Sequence, residues 1–107
     1  MCYAHAHGVR VVVHHDMAVS DLPNATARAV WINSTIQMTL DNFLDGVNVD
    51  IESPIAKGSP EVVGLSALLS ELTPAMHKEV PGSRVTLDVA WNPACVDGRC
   101  YDYAGML

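Results

Sequence analysis

Apolar positions along this chain switch between two periods, and the switches mark its elements. Residues 8–16 (GVRVVVHHD) are a β-branched run after a glycine, which predicts a buried strand. Residues 20–43 follow with a helical period: Ile32, Ile36, Leu40 and Phe43 recur at spacings of four, four and three and define one face. Ser20 or Asp21 would cap that helix, with Pro23 in its first turn. Residues 46–51 (GVNVDI) return to the strand period. Residues 59–80 predict a second helix, with a Ser59 cap, Pro60 in the first turn and Glu61 near the positive helix end. Its apolar stripe is Leu65, Leu68, Leu72 and Met76, and Pro74 should kink it or end it early. Pro81-Gly82 stops it, and residues 84–91 (RVTLDVAW) predict a third strand. The tail 92–107 reads as loop with a short helix near its end. No low-complexity segment or linker interrupts the pattern.

Strand, helix, strand, helix, strand with connections of this length predicts an α/β fold: a parallel sheet with helices packed on it. That changes the meaning of residues 45–52 (DGVNVDIE). Val47, Val49 and Ile51 fall on one face, and Asn48, Asp50 and Glu52 on the other, because side chains alternate across a strand. An alternating strand is ordinary in an antiparallel sheet with one wet face. A parallel strand is usually apolar on both faces, so a row of acids there must line a water-filled or ligand-filled space. Residues two apart on a strand stand about 6.5–7 Å apart at the backbone. Two carboxylates that close ionise less easily together than apart, the condition an acid catalyst beside a charge stabiliser needs. Glu52 lies at the carboxyl end of its strand, where parallel α/β folds bind ligands. The same row could instead hold a divalent cation through oxygen ligands, or be satisfied by hydrogen bonds alone.

Composition narrows the classes. The chain has 107 residues, room for one small domain, and half of it is hydrophobic, which excludes disorder by composition. Its net charge of −6 argues against a nucleic-acid partner. No apolar run approaches the roughly 20 residues of a membrane-spanning helix, and MCYAHAHG lacks the regions of a signal peptide. Asn24 (NAT) and Asn33 (NST) stand in acceptor patterns for N-glycosylation and point to a secretory route. Of three cysteines, Cys95 and Cys100 could close a short loop or stand as buried free thiols; the odd count leaves one thiol unpaired or its partner in another chain. His5, His7, His14 and His15 invite a zinc reading. It is disfavoured, because His5 and His7 fall at a helix end and adjacent histidines on a strand face opposite ways. Asp16 is a secondary candidate for the site, and the side taken by Asp88 is ambiguous from period alone. Trp91 could stack on a sugar face or be buried as a packing residue. Trp31 reads as core. Tyr101-Asp102-Tyr103 suggests no mechanism.

DGVNVDIE resembles the active-site signature of glycoside hydrolase family 18, the chitinase family, written D-x-x-D-x-D-x-E. MCYAHAHGVRVVV, DGVNVDIE, VTLDVAWNP and RCYDYAG, in that order, resemble its lysosomal chitobiase branch, and the resemblance runs along essentially the whole chain. It implies a (β/α)8 barrel, which typically takes about 250 residues. These residues would supply roughly its third to fifth strands and two intervening helices, a single incomplete catalytic domain (1–107) from inside a longer chain. The missing leader and the odd cysteine fit that reading.

The resemblance further implies substrate-assisted, retaining hydrolysis of N-acetylglucosamine β-1,4 linkages, particularly the chitobiose core of N-glycans. Glu52 matches the general acid, and Asp50 the aspartate that orients the substrate's acetamido group. Asp45 matches the first, structural aspartate. Asn48 stands where most of the family has aspartate but where the chitobiase branch shares asparagine, and with Trp91 it is a substrate-binding candidate. The serine- and glycine-rich motif expected after residues 8–13 is replaced by His14-His15-Asp16. The sixth-strand tyrosine and eighth-strand tryptophan of the family would lie beyond Leu107. The implied protein is a monomer, lysosomal or secreted, with no cofactor, metal or membrane partner. The alternatives are a truncated, non-catalytic piece and a lectin-like binder of chito-oligosaccharides. Inactive members commonly lose the glutamate, which is present here.

Overall fold

A computed structural model describes residues 2–106. Its elements, in order, are α1 (Cys2–Ala6), β1 (Val13–His15), a 3-10 turn (Val19–Asp21), α2 (Ala25–Asp41), β2 (Gly46–Val49), α3 (Pro60–Glu79) and β3 (Arg84–Leu87). The strands form one sheet in the order β1-β2-β3, parallel throughout. Val13, Val47 and Val85 share one row, and His14, Asn48 and Thr86 the next.

The strands are shorter than their apolar runs. In 8–16 only residues 13–15 pair, and Val9 and Val12 are exposed. β1 is an outer strand with a single neighbour, so the first half of its run has no ladder to join.

Val47, Val49 and Ile51 are fully buried beneath α2 and α3. On α3 the predicted stripe holds: Leu65, Leu68, Leu72 and Met76 are fully buried. The helix continues through Pro74 to Glu79 instead of ending early. Pro74 is exposed, and so is Ser70, whose carbonyl loses its helical partner, so water can take the place of the missing donor. Ser59 is the N-cap residue of α3, although its side chain makes no capping hydrogen bond.

α2 departs from expectation at both ends and on its buried face. Asn24 caps it, not Ser20 or Asp21: Asn24 Oδ1 accepts from the N–H groups of Thr26 (2.9 Å) and Ala27 (3.1 Å). The earlier residues are taken up by the 3-10 turn, which buries Leu22. Leu40 and Phe43 are exposed, at 44% and 73%, so the predicted Ile32–Phe43 stripe is not the packed one. The buried positions are Arg28, Trp31, Ile32, Thr35 and Thr39. The two threonines enter the core because each hydroxyl donates to the carbonyl one turn back, Thr35 to Trp31 and Thr39 to Thr35, both at 2.8 Å. Counting apolar residues misses polar side chains that satisfy themselves locally.

Arg28 ties α2 to α3 and to the turn before it. Its Nε and Nη2 donate to the two Glu71 oxygens at 3.1 and 3.0 Å, and Nη1 donates to the Leu22 carbonyl at 2.8 Å. The hydrogen bonds to Glu71 push the guanidinium pKa further up, although burial opposes them. Arg28→Ala leaves a buried carbonyl without its donor and should lower unfolding stability by about 2 kcal/mol, read from urea midpoints at constant slope.

Candidate active site

β2 places the acids. With Val47, Val49 and Ile51 turned under the helices, alternation sends Asn48, Asp50 and Glu52 to the opposite, uncovered face of the sheet. Asp88, just past β3, joins them. Carboxylate oxygens of Asp50, Glu52 and Asp88 all lie within 4.8 Å of one another, with Glu52 exposed and the other two half-buried. The ambiguity over Asp88 thus resolves toward the site, because β3 runs in register beside β2 and the Asp88 N–H donates to the Val49 carbonyl at 3.0 Å. These three residues could together hold a divalent cation through oxygen ligands.

Two of the acids have a basic neighbour. Asp50 Oδ2 is 3.3 Å from His14 Nδ1, across from β1. Glu52 Oε1 is 3.7 Å from Arg99 Nη1 in the tail. Asn48 Oδ1 accepts from the Thr86 hydroxyl at 2.6 Å, which leaves its amide donors free to point out of the sheet. Trp91 follows β3 and is 81% exposed. Asp16 stands outside the carboxylate cluster: its Oδ1 accepts from the Met17 N–H at 2.7 Å and its carbonyl from Trp31 Nε1 at 2.8 Å.

The histidines separate as adjacent strand positions must. His14 faces Asp50, whereas His15 stacks on Trp31, with ring centroids 4.6 Å apart, and bonds Thr35 Oγ1 through Nδ1 at 2.8 Å. Because the Thr35 hydroxyl already donates to Trp31, His15 Nδ1 is the donor in that bond. Burial pushes the His15 pKa down, against the pull of neighbouring Asp16. His5 bonds Asp45, and His7 bonds the Tyr3 carbonyl at 2.8 Å.

Asp45 holds the amino end of β2 and does not join the acidic cluster. Its Oδ2 accepts from the Val11 N–H and from His5 Nε2, both at 2.7 Å. Its backbone N–H donates to Val11 and its carbonyl accepts from Arg84, so one residue latches the segments leading into all three strands. The Val11 N–H, then His5, hold the carboxyl pKa below its ordinary value of 3.8. A carboxyl whose folded value is depressed stabilises the fold above the unfolded value and loses that contribution as pH falls through the folded one. Thermal midpoints should therefore fall as pH drops below about 4, and Asp45→Asn should flatten that dependence while lowering the midpoint at neutral pH.

Two site neighbours fall in the RCYDYAG stretch, whose residues suggested no role of their own. Arg99 and Tyr101 lie far along the chain from Glu52, in a tail without periodicity. Cys95 and Cys100 are joined as a disulfide that closes this tail loop, and Cys2 is free and exposed.

A parallel sheet with helices on one face is the architecture of a segment of a (β/α)8 barrel. The match to solved structures bears this out. The chain superposes on the class V chitinase of Nicotiana tobaccum with a TM-score of 0.71 at 21% identity, covering 90% of this chain and 31% of that one. A mutant of that chitinase in complex with NAG4 matches with the same TM-score at 20% identity.

In sequence the chain is homologous to the di-N-acetylchitobiases. It is 46% identical to the Rattus norvegicus protein and 43% identical to the Homo sapiens protein, over 99% of its own residues in each case. It is 36% identical to a probable di-N-acetylchitobiase of Dictyostelium discoideum. It spans 29% of the rat protein's length and 28% of the human one's. No protein-family model matches the chain.

Proposed function

We propose that these residues are the acid-bearing part of a chitobiase-like glycosidase. It would hydrolyse N-acetylglucosamine β-1,4 linkages in chito-oligosaccharides and in the chitobiose core of N-glycans, as part of a longer chain. The observation that carries the reading is the open, same-face placement of Asp50 and Glu52 at the end of a strand whose other face is fully buried.

In the proposed reaction the Glu52 carboxyl gives its proton to the glycosidic oxygen as the bond from that oxygen to the anomeric carbon breaks. The carbonyl oxygen of the substrate's own acetamido group forms the new bond to that carbon, giving an oxazolinium-like intermediate. Asp50, held by His14, orients the acetamido group and stabilises its positive charge. Glu52, now a carboxylate, takes a proton from water as the water oxygen attacks the anomeric carbon and the ring opens. Two inversions at that carbon amount to retention.

Asn48 would donate to the sugar, and exposed Trp91 would stack on its apolar face. Asp45 is structural in this reading. Asn24 and Asn33, both on the surface, are proposed to carry glycans, in keeping with a lysosomal or secreted monomer.

A second reading has its own support. A three-stranded sheet has two unpaired edges and does not close a barrel, so the 107 residues by themselves are proposed to be inactive and prone to aggregate. Assaying a chromogenic di-N-acetylchitobioside with the complete gene product and with residues 1–107 alone tests both statements. Turnover with a retained anomer is expected from the first and none from the second; a complete product without turnover sinks the glycosidase reading.

A further inference from the structure

β2 ends at Val49, so the backbone carrying Glu52 has no strand ladder to hold it. An acid that must deliver a proton in one geometry needs support to within about half an ångström. The tail supplies it from the other end of the chain. Tyr101 is 5% exposed, and its hydroxyl lies 2.5 Å from the Ile51 carbonyl and 3.0 Å from the Ser53 carbonyl, the carbonyls of the residues before and after Glu52. Next to it the Ile55 N–H donates to Gly98 at 2.9 Å and the Cys100 N–H donates back to Ile55 at 3.1 Å, with the Cys95–Cys100 disulfide closing the loop that makes these bonds.

We propose that Tyr101 is a positioning residue for Glu52: its single hydroxyl proton, shared between two carbonyls, clamps the backbone on both sides of the proton donor. This rests on the glycosidase reading above. Burial pushes the Tyr101 pKa up to about 12, against the pull of Arg99, so the phenol remains a donor throughout the neutral and acid range. Arg99, whose side chain is 14% exposed, reaches the Glu52 carboxylate from the same strap and restrains it laterally.

Tyr101→Phe keeps the ring in the core and deletes the donor. In the complete gene product it should lower kcat on the chitobioside about tenfold or more and leave KM within about twofold. Amide exchange should speed up across residues 50–56 and stay unchanged across 46–49. In the unsubstituted protein the Tyr101 hydroxyl proton should give a slowly exchanging NMR resonance, a readout that does not depend on the variant folding. An active protein whose kcat is untouched by Tyr101→Phe overturns the clamp, and so does unchanged exchange at 50–56 or the absence of that resonance. A protein with no turnover removes the glycosidase reading, while the exchange and NMR measurements still decide whether Tyr101 holds this segment.

Discussion

Glu52→Gln should reduce chitobioside hydrolysis by the complete gene product at least about a thousandfold, with KM nearly unchanged. General acid–base catalysis alone contributes about a hundred to ten-thousandfold, and here one carboxyl is assigned both the acid and the base step. Glutamine is isosteric but carries no transferable proton, so the first step loses its donor and the second its base. The substitution should leave stability within about 0.5 kcal/mol, because Glu52 is exposed and its contact with Arg99 is long, at 3.7 Å. Full turnover by a folded Glu52→Gln protein would move the proton transfer to another group, with Asp50 and Asp88 the adjacent carboxyls to test.

The largest expected effect on folding is at Gly46. Its φ of 153° lies outside the range open to a residue with a side chain, and a Cβ there would collide with the backbone of Arg84 on β3. The glycine permits the close approach of β2 and β3 at the point where Asp45 latches both neighbouring segments. Gly46→Ala adds backbone strain to an unrelievable clash and should cost about 4 kcal/mol. That is a large share of the roughly 5–15 kcal/mol typical of a folded domain. Gly82 is the control: its φ is 77°, but nothing lies within 4 Å of a Cβ there. Gly82→Ala should cost about 1 kcal/mol. Equal urea midpoints for the two variants would show that β2 and β3 do not approach as described. Gly82 lies in the milder left-handed region, so the difference between the two variants combines the harsher backbone conformation at Gly46 with its contact to Arg84.

Much of this arrangement was legible before any coordinates. A two-residue period in DGVNVDIE placed Asp50 and Glu52 together, and β-branched runs separated by helical ones implied a parallel sheet. Both follow from local geometry: alternation across a strand and the length of a crossover act within a few residues. The stripe on α3 was readable for the same reason, since Leu65, Leu68, Leu72 and Met76 are all apolar and regularly spaced. The stripe on α2 was not, because Thr35 and Thr39 are buried by hydrogen bonds that composition does not show.

What lay beyond pattern is the set of contacts that join distant segments. Asp88 joins Asp50 and Glu52 only because β3 docks on β2 in one register. His14 meets Asp50 across two strands, and Arg99 and Tyr101 reach Glu52 from a tail with no periodicity at all. A chain's local preferences set the faces of its strands and helices; which side chains then meet depends on how those elements pack, and packing is decided by the whole core at once.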